Sequence, residues 1–291
     1  MNNDIISIIS VSELKALYKA ADLLILDVSN GKEAQSNYNQ KHVDGAIFVD
    51  LNSQLADIKD DVSIGGRHPL PSIENFSKLL SSIGITAEKH IVLYDDKYGS
   101  NAASRMWWML KSIGHEKVQV LNGGLQEAEK HNFLINSKIV SPIPATEYEI
   151  EKWKLPLATI DEVENASINQ DGLIIDVREA QRFNGEVEPI DLIAGHIPNA
   201  INIPFASNLD ENGLFLSSEK LKEKYKSIFE NKKSSEIIVH CGSGVTACHT
   251  LLAMAYAGFE IPKLYVGSWS EWSRNDKPLA VGKSLFNKSP Q

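Results

Sequence analysis

The stretch Ile237-Ile238-Val239-His240-Cys241-Gly242-Ser243-Gly244-Val245-Thr246-Ala247 decides how this chain is read. A mainly β-branched apolar run ends in a cysteine, two glycines follow, and a helical stretch begins. That is the pattern of a buried strand, a tight loop and a helix start. Such a turn gathers backbone N–H groups into a cradle backed by the positive end of a helix. It sets the Cys241 sulfur beside an anion site and favours its thiolate. Gly242 and Gly244 let the backbone turn so that N–H groups point inward. The backbone of Gly242, Gly244, Val245 and Thr246 is the candidate substrate-binding set. The Thr246 side chain is also expected to bond the loop itself.

Working outward, the chain is written twice. Leu24-Ile25-Leu26-Asp27-Val28 recurs as Leu173-Ile174-Ile175-Asp176-Val177. His42-Val43-Asp44-Gly45-Ala46 recurs as His196-Ile197-Pro198-Asn199-Ala200. Ile91-Val92-Leu93-Tyr94-Asp95 matches Ile237-Ile238-Val239-His240-Cys241, and Leu121-Asn122-Gly123-Gly124 echoes Tyr265-Val266-Gly267-Ser268. Each copy exceeds a hundred residues, so this is a duplicated domain and not a solenoid. Short apolar strands alternate with helical stretches. The expected class is α/β, with a mainly parallel sheet in each copy and helices on both faces. Helices are predicted from Ser12 to Ala20 with Ser12 as N-cap, from Ile73 to Ile83 with Ser72 as N-cap, and from Ser218 to Glu230. Gly84 and Gly114 stand where helix C-caps belong.

The expected domains are 1–138 and 156–291, joined by a Pro-containing strap at 139–155. The position of Cys241 is Asp95 in the first copy, and a carboxylate cannot do thiol chemistry. The second copy is therefore expected to be catalytic, with the substrate cleft between the halves.

Composition narrows the options. The 291 residues are 43% apolar and 23% charged, as in ordinary globular domains. A net charge of −9 argues against nucleic-acid and membrane-surface partners, which need a basic face. The two cysteines, Cys241 and Cys248, are too few for a disulfide scaffold, and no apolar run approaches membrane-spanning length. A reducing cytoplasm is the expected location. Cys248 is read as core. No His/Cys cluster has ligand spacing, so no metal or other cofactor is expected.

Together these residues resemble the rhodanese family, specifically its tandem-domain sulfurtransferases. The loop 241–247 looks like the branch that uses 3-mercaptopyruvate; the thiosulfate-preferring branch puts Arg and Lys where this chain has Gly242 and Ser243. Asp95 with Arg105-Met106-Trp107-Trp108, Gly66-Arg67-His68-Pro69 and Gly267-Ser268-Trp269 also resemble the family. The resemblance implies transfer of sulfane sulfur through a persulfide on Cys241. The partners it implies are a small anionic sulfur donor and a thiol acceptor such as a thioredoxin-like protein.

It also implies roles residue by residue. Arg182 matches the arginine that grips the substrate anion, with a surface salt bridge as the alternative. His68 matches a first-domain histidine able to shuttle a proton across the cleft, with an ordinary loop histidine as the alternative. Ser243 is either a donor to substrate or a capping hydroxyl. Arg67 is either a source of positive potential or a salt-bridge partner, and Arg178 a structural partner of Asp176. Two departures stand out. The family's second arginine is Ile190 here, after Glu188-Pro189, and the aspartate proposed to orient the histidine aligns with Asn52, two residues from Asp50. Two rivals remain: a cysteine phosphatase or arsenate reductase, whose clamp arginine would fall at Ala247, and a non-enzymatic binding module.

Overall fold

A computed structural model describes residues 5–169 and 172–282. The outer ends of the expected domains, 1–4 and 283–291, lie outside the described residues. The fold divides into two compact units. The first holds the chain through Asp57, Leu70–Leu155 and Glu211–Phe215; the second holds Ile58–Pro69, Pro156–Asp210 and the chain from Leu216.

In the first unit the strands are β1 (Ile8–Ile9), β2 (Leu23–Asp27), β3 (His42–Val43), β4 (Ile47–Phe48), β5 (His90–Tyr94), β6 (Val118–Leu121) and β7 (Ile135–Asn136). Five form a sheet in the order β1-β6-β5-β2-β4, with every pairing parallel. β3 and β7 form a separate antiparallel pair. Parallel strands are covered on both faces, which explains the unbroken burial of Ile91, Val92, Leu93 and Tyr94. The helix Ala102–Ile113 is buried along nearly its whole length, Trp107 and Trp108 included. It ends at Gly114, whose φ of 91° is the left-handed cap expected there.

The first helix differs from expectation. It runs Val11–Leu17 and Ser10, not Ser12, is its cap. Ser10 Oγ accepts from the Glu13 N–H while the Glu13 carboxylate accepts from the Ser10 N–H at 2.8 Å. Only Ser10 has a glutamate three residues on, so only Ser10 can close this reciprocal box. Lys19, at φ 74°, breaks the helix before Ala20. The second predicted helix holds, as Ile73–Ser82 capped by Ser72.

The second unit repeats the plan with β8 (Leu173–Asp176), β9 (Ile201–Asn202), β10 (Ile237–His240) and β11 (Lys263–Leu264). Its all-parallel order is β11-β10-β8-β9. A parallel bridge from Leu157 to Leu264 supplies the place that β1 takes in the first unit. Val163, Ile174, Phe183, Ile238, Trp269 and Trp272 share one core. The third predicted helix spans Ser218–Asn231. The repeated histidines share a structural role: His42 Nδ1 bonds the Tyr38 carbonyl at 2.6 Å and His196 Nδ1 the Phe183 carbonyl at 2.7 Å. β10 is flanked on both sides, so the loop at its carboxyl end sits where parallel sheets present their ligand sites.

Candidate active site

The loop 241–245 joins β10 to the helix Thr246–Tyr256, and each of its residues is buried. The short helix Ser268–Trp272 pins it from the side. Trp269 N–H donates to the Cys241 carbonyl at 3.0 Å, Ser270 N–H to the Gly242 carbonyl at 2.9 Å, and Cys241 N–H to Ser268 Oγ at 3.2 Å. Cys241 is 2% exposed, enclosed by the loop and the elements around it. Cys248 lies in the helix core, its thiol directed at the Gly244 carbonyl, and neither cysteine forms a disulfide.

The two loop glycines serve different ends. Gly244 has φ +71°, and a Cβ there would stand 2.5 Å from the Val266 carbonyl oxygen. It answers a turn that other residues resist. Gly242 is not left-handed. A Cβ at Gly242 would stand 3.0 Å from Arg67 Nη2, 3.4 Å from Arg182 Nη2 and 3.5 Å from Asp191 Oδ2. Its lack of a side chain makes room for charge rather than for a bend. Val245 is the residue preceding the helix and Thr246 its first residue.

His68 Nδ1 and Ser243 Oγ share a hydrogen bond of 2.8 Å. His68 comes from the first half of the chain and Ser243 from the second, and both lie within one compact unit, because the segment 58–69 groups with Cys241. Gly65 N–H donates to Glu271 at 2.8 Å, Arg67 N–H to Ser270 Oγ at 3.0 Å, and Asn275 Nδ2 to the Ser63 carbonyl at 2.9 Å. Gly66 lets the segment approach: its Cβ would fall 2.3 Å from the Gly267 carbonyl oxygen. Asp50, considered as an orienting carboxylate, caps the helix Leu51–Gln54 by accepting from Ser53 N–H and Oγ.

Arg182 is not a bare grip. Its Nε donates to both Glu188 oxygens, at 3.0 and 3.1 Å, and its Nη2 to Asp191 at 3.1 Å. Burial works against its charge, but Glu188 and Asp191 outweigh burial and hold its pKa above the ordinary value. Burial likewise opposes ionisation of Glu188, and Arg182 prevails, holding that carboxylate below its usual range. Arg67 takes the salt-bridge alternative read for it. It donates to Asp191 through Nε at 2.9 Å and Nη2 at 3.3 Å, and it stands at the edge of Gly242. Arg274 Nη1 adds a third contact to Asp191, at 3.3 Å.

Beneath the loop, Arg178 is clamped to Asp176, with Nη2–Oδ2 at 2.6 Å, and lies over the Trp269 ring. His240 is fully buried, with Nε2 3.7 Å from Asp176. Burial lowers its pKa and keeps the ring neutral at physiological pH. Sequence reasoning missed Asp191, Arg274 and the engaged role of Glu188. Glu188 and Asp191 flank the very place where a second arginine is lacking, which is the one signal they gave. Among the described residues no group of three His, Cys, Asp or Glu side chains is arranged to hold a metal ion.

The model for the rhodanese-like domain matches residues 10–131 and again 159–275. The chain is 37% identical over 285 residues to a probable 3-mercaptopyruvate sulfurtransferase of Pseudomonas aeruginosa, covering 94% of this chain and 98% of that one. It is 34% identical to a thiosulfate sulfurtransferase of Rattus norvegicus, with 90% of each covered. The crystal structure of a 3-mercaptopyruvate sulfurtransferase from Escherichia coli superposes with a TM-score of 0.75 at 31% identity, over 92% of this chain and all of that one.

Proposed function

The chain belongs to the rhodanese-like domain family, and from that premise we propose that it is a sulfurtransferase loading sulfane sulfur from 3-mercaptopyruvate onto Cys241. The observation that carries this reading is the meeting, in one compact unit, of Cys241, the Ser243–His68 pair and the guanidiniums around Gly242. Thiosulfate is the secondary donor, as the similarity to a thiosulfate sulfurtransferase suggests.

The chemistry runs in two halves. The Cys241 thiolate attacks the donor's thiol sulfur, an S–S bond forms and the C–S bond breaks. The electron pair leaves on carbon as the pyruvate enolate, which takes a proton to give pyruvate, while the thiol hydrogen stays on the persulfide. Ser243 and His68 are the groups read as delivering that proton. An acceptor thiolate, or cyanide, then attacks the outer sulfur and restores the Cys241 thiolate. Arg182 and Arg67 supply positive charge for the donor carboxylate, and the backbone of Gly242, Gly244, Val245 and Thr246 shapes the seat of the reacting sulfur.

The physiological acceptor is read as a dithiol protein of thioredoxin type, and the location as the cytoplasm, where two thiols outside any disulfide are at home. Among the described residues no helix is long and apolar enough to cross a membrane. The test is mass spectrometry of the intact protein after each donor, beside kcat/KM for both. Gain of one sulfur atom on Cys241 and a preference for 3-mercaptopyruvate are expected. No sulfur gained from either donor would defeat the assignment, and a preference for thiosulfate would reverse the choice of donor.

A further inference from the structure

Asp191 is the unexpected member of the site. Its carboxylate has no solvent exposure, yet it receives Arg67, Arg182 and Arg274 together. It also lies beside Gly242, one residue from the reacting cysteine. Glu188 is shared between Arg182 and Arg178, and Arg178 is also held by Asp176. Four guanidiniums therefore meet three buried carboxylates, and Asp191 offsets one unit of the positive charge around Gly242. Glu179, 3.7 Å from Arg182, has a side chain 59% exposed, and solvent screens most of its contribution. Charges in such a shielded place act on one another far more strongly than they would in water.

We infer that Asp191 determines donor choice, by cancelling one arginine so that the site suits a singly charged carboxylate donor better than a dianion. The inference rests on the sulfurtransferase reading above. 3-Mercaptopyruvate carries one negative charge with its thiol protonated, and thiosulfate carries two. The more positive the site, the more it favours a dianion over a monoanion. Loss of the Asp191 charge makes the site one unit more positive, which favours thiosulfate. Loss of Arg274 makes it one unit less positive, which disfavours the dianion further. Arg274 suits this purpose because it touches Asp191 and the Ser270 carbonyl from the cluster's outer side, with 22% of its side chain exposed.

The experiment measures the ratio of kcat/KM for 3-mercaptopyruvate to that for thiosulfate in the full-length protein, in Asp191→Asn and in Arg274→Gln. Asn keeps the shape and one acceptor oxygen while removing the charge. The ratio is expected to fall about tenfold in D191N and to rise about tenfold in R274Q. A hub that is only structural would lower both donors together and leave the ratio within twofold, and that result overturns the inference. A shift of both variants in the same direction also overturns it. Should D191N fail to fold, R274Q decides alone, and a ratio that stays or falls sinks the idea. If the wild-type protein gains no sulfur on Cys241 from either donor, the sulfurtransferase reading fails and this inference goes with it. Persulfide formation with an unmoved ratio removes only the inference.

Discussion

The loops that follow β5 and β10 start from the same place in the same fold and end differently. After β5, Asp95 folds its own carboxylate into the turn. Oδ1 accepts from the Lys97 and Gly99 N–H groups, and Oδ2 from those of Asn101 and Ala103, all between 2.9 and 3.1 Å. After β10 the residue is a cysteine, whose side chain brings no carboxylate, and the guanidiniums gather beside it. The first loop is an anion site filled by its own residue. On the proposed function, the second loop takes its anion from the donor. The difference teaches that the one residue ending the strand decides whether the turn is filled by its own carboxylate, as Asp95 fills the first.

The severest way to break that comparison is to give the second loop the residue of the first. Cys241→Asp is expected to end sulfur transfer entirely while the protein stays folded, and Cys241→Ser should do the same. Residual turnover in a donor assay with either variant would show that the sulfur is carried elsewhere. Next in size is Gly244→Ala. At φ +71°, with the Val266 carbonyl in the way, it should cost about 3 kcal/mol and most of the activity. A denaturant melt indistinguishable from wild type would contradict this. Arg182→Ala should raise KM for the donor about tenfold, more than it lowers kcat, because the arginine chiefly binds the ground state. An unchanged KM would remove it from the donor site.

Acid should separate the two units. In the first, burial holds Asp27 and Asp95 above the usual carboxylate value, so a fall in pH relieves the cost of keeping them ionised. In the second, the burial of Asp176 is outweighed by Arg178, which keeps it below that value. Burial also keeps His196, His240 and His249 neutral, with His249 lowered to about 3. Groups with depressed pKa values stabilise the fold above their unfolded values and lose that contribution as pH falls through the folded ones. For the histidines the loss begins below about 6.5, and for Asp176 below about 3.9. His115 acts in the same sense within the first unit, against the opposite trend of its carboxylates. Peptide-resolved hydrogen exchange between pH 7 and 4 should therefore show the second unit losing protection first. The reverse order would contradict the argument.

The smallest effect expected is on alkylation. Iodoacetate should gain on iodoacetamide by about threefold at Cys241, relative to the Arg67→Gln variant, because the guanidiniums attract the charged reagent. Equal ratios in the two proteins would mean that Arg67 contributes no field at the sulfur.

What the sequence made legible was whatever depends on neighbours along the chain. The strand runs before Asp95 and Cys241, the Ser72 cap and the Gly114 stop are all local, and all are found. The Ser10 cap was legible too, by its glutamate three residues on, and Ser12 was a misreading of the same signal. The rest was out of reach because it is set by tertiary packing. Nothing near Arg274 marks it as a partner of Asp191, 83 residues away. Gly242 reads as a turn glycine until the guanidiniums beside it are seen. The arginine missing at position 190 gave no sign that, in the fold, Arg67 brings a guanidinium to Asp191 from 124 residues away.

That reach has a practical outcome. Residues 58–69 are encoded within the first repeat but built into the second unit, and residues 211–215 make the opposite crossing. A fragment cut at the strap and begun at Pro156 would possess the nucleophile yet lack both His68 and Arg67. The two halves of the duplication have thus traded segments, and a cut at the strap divides both compact units.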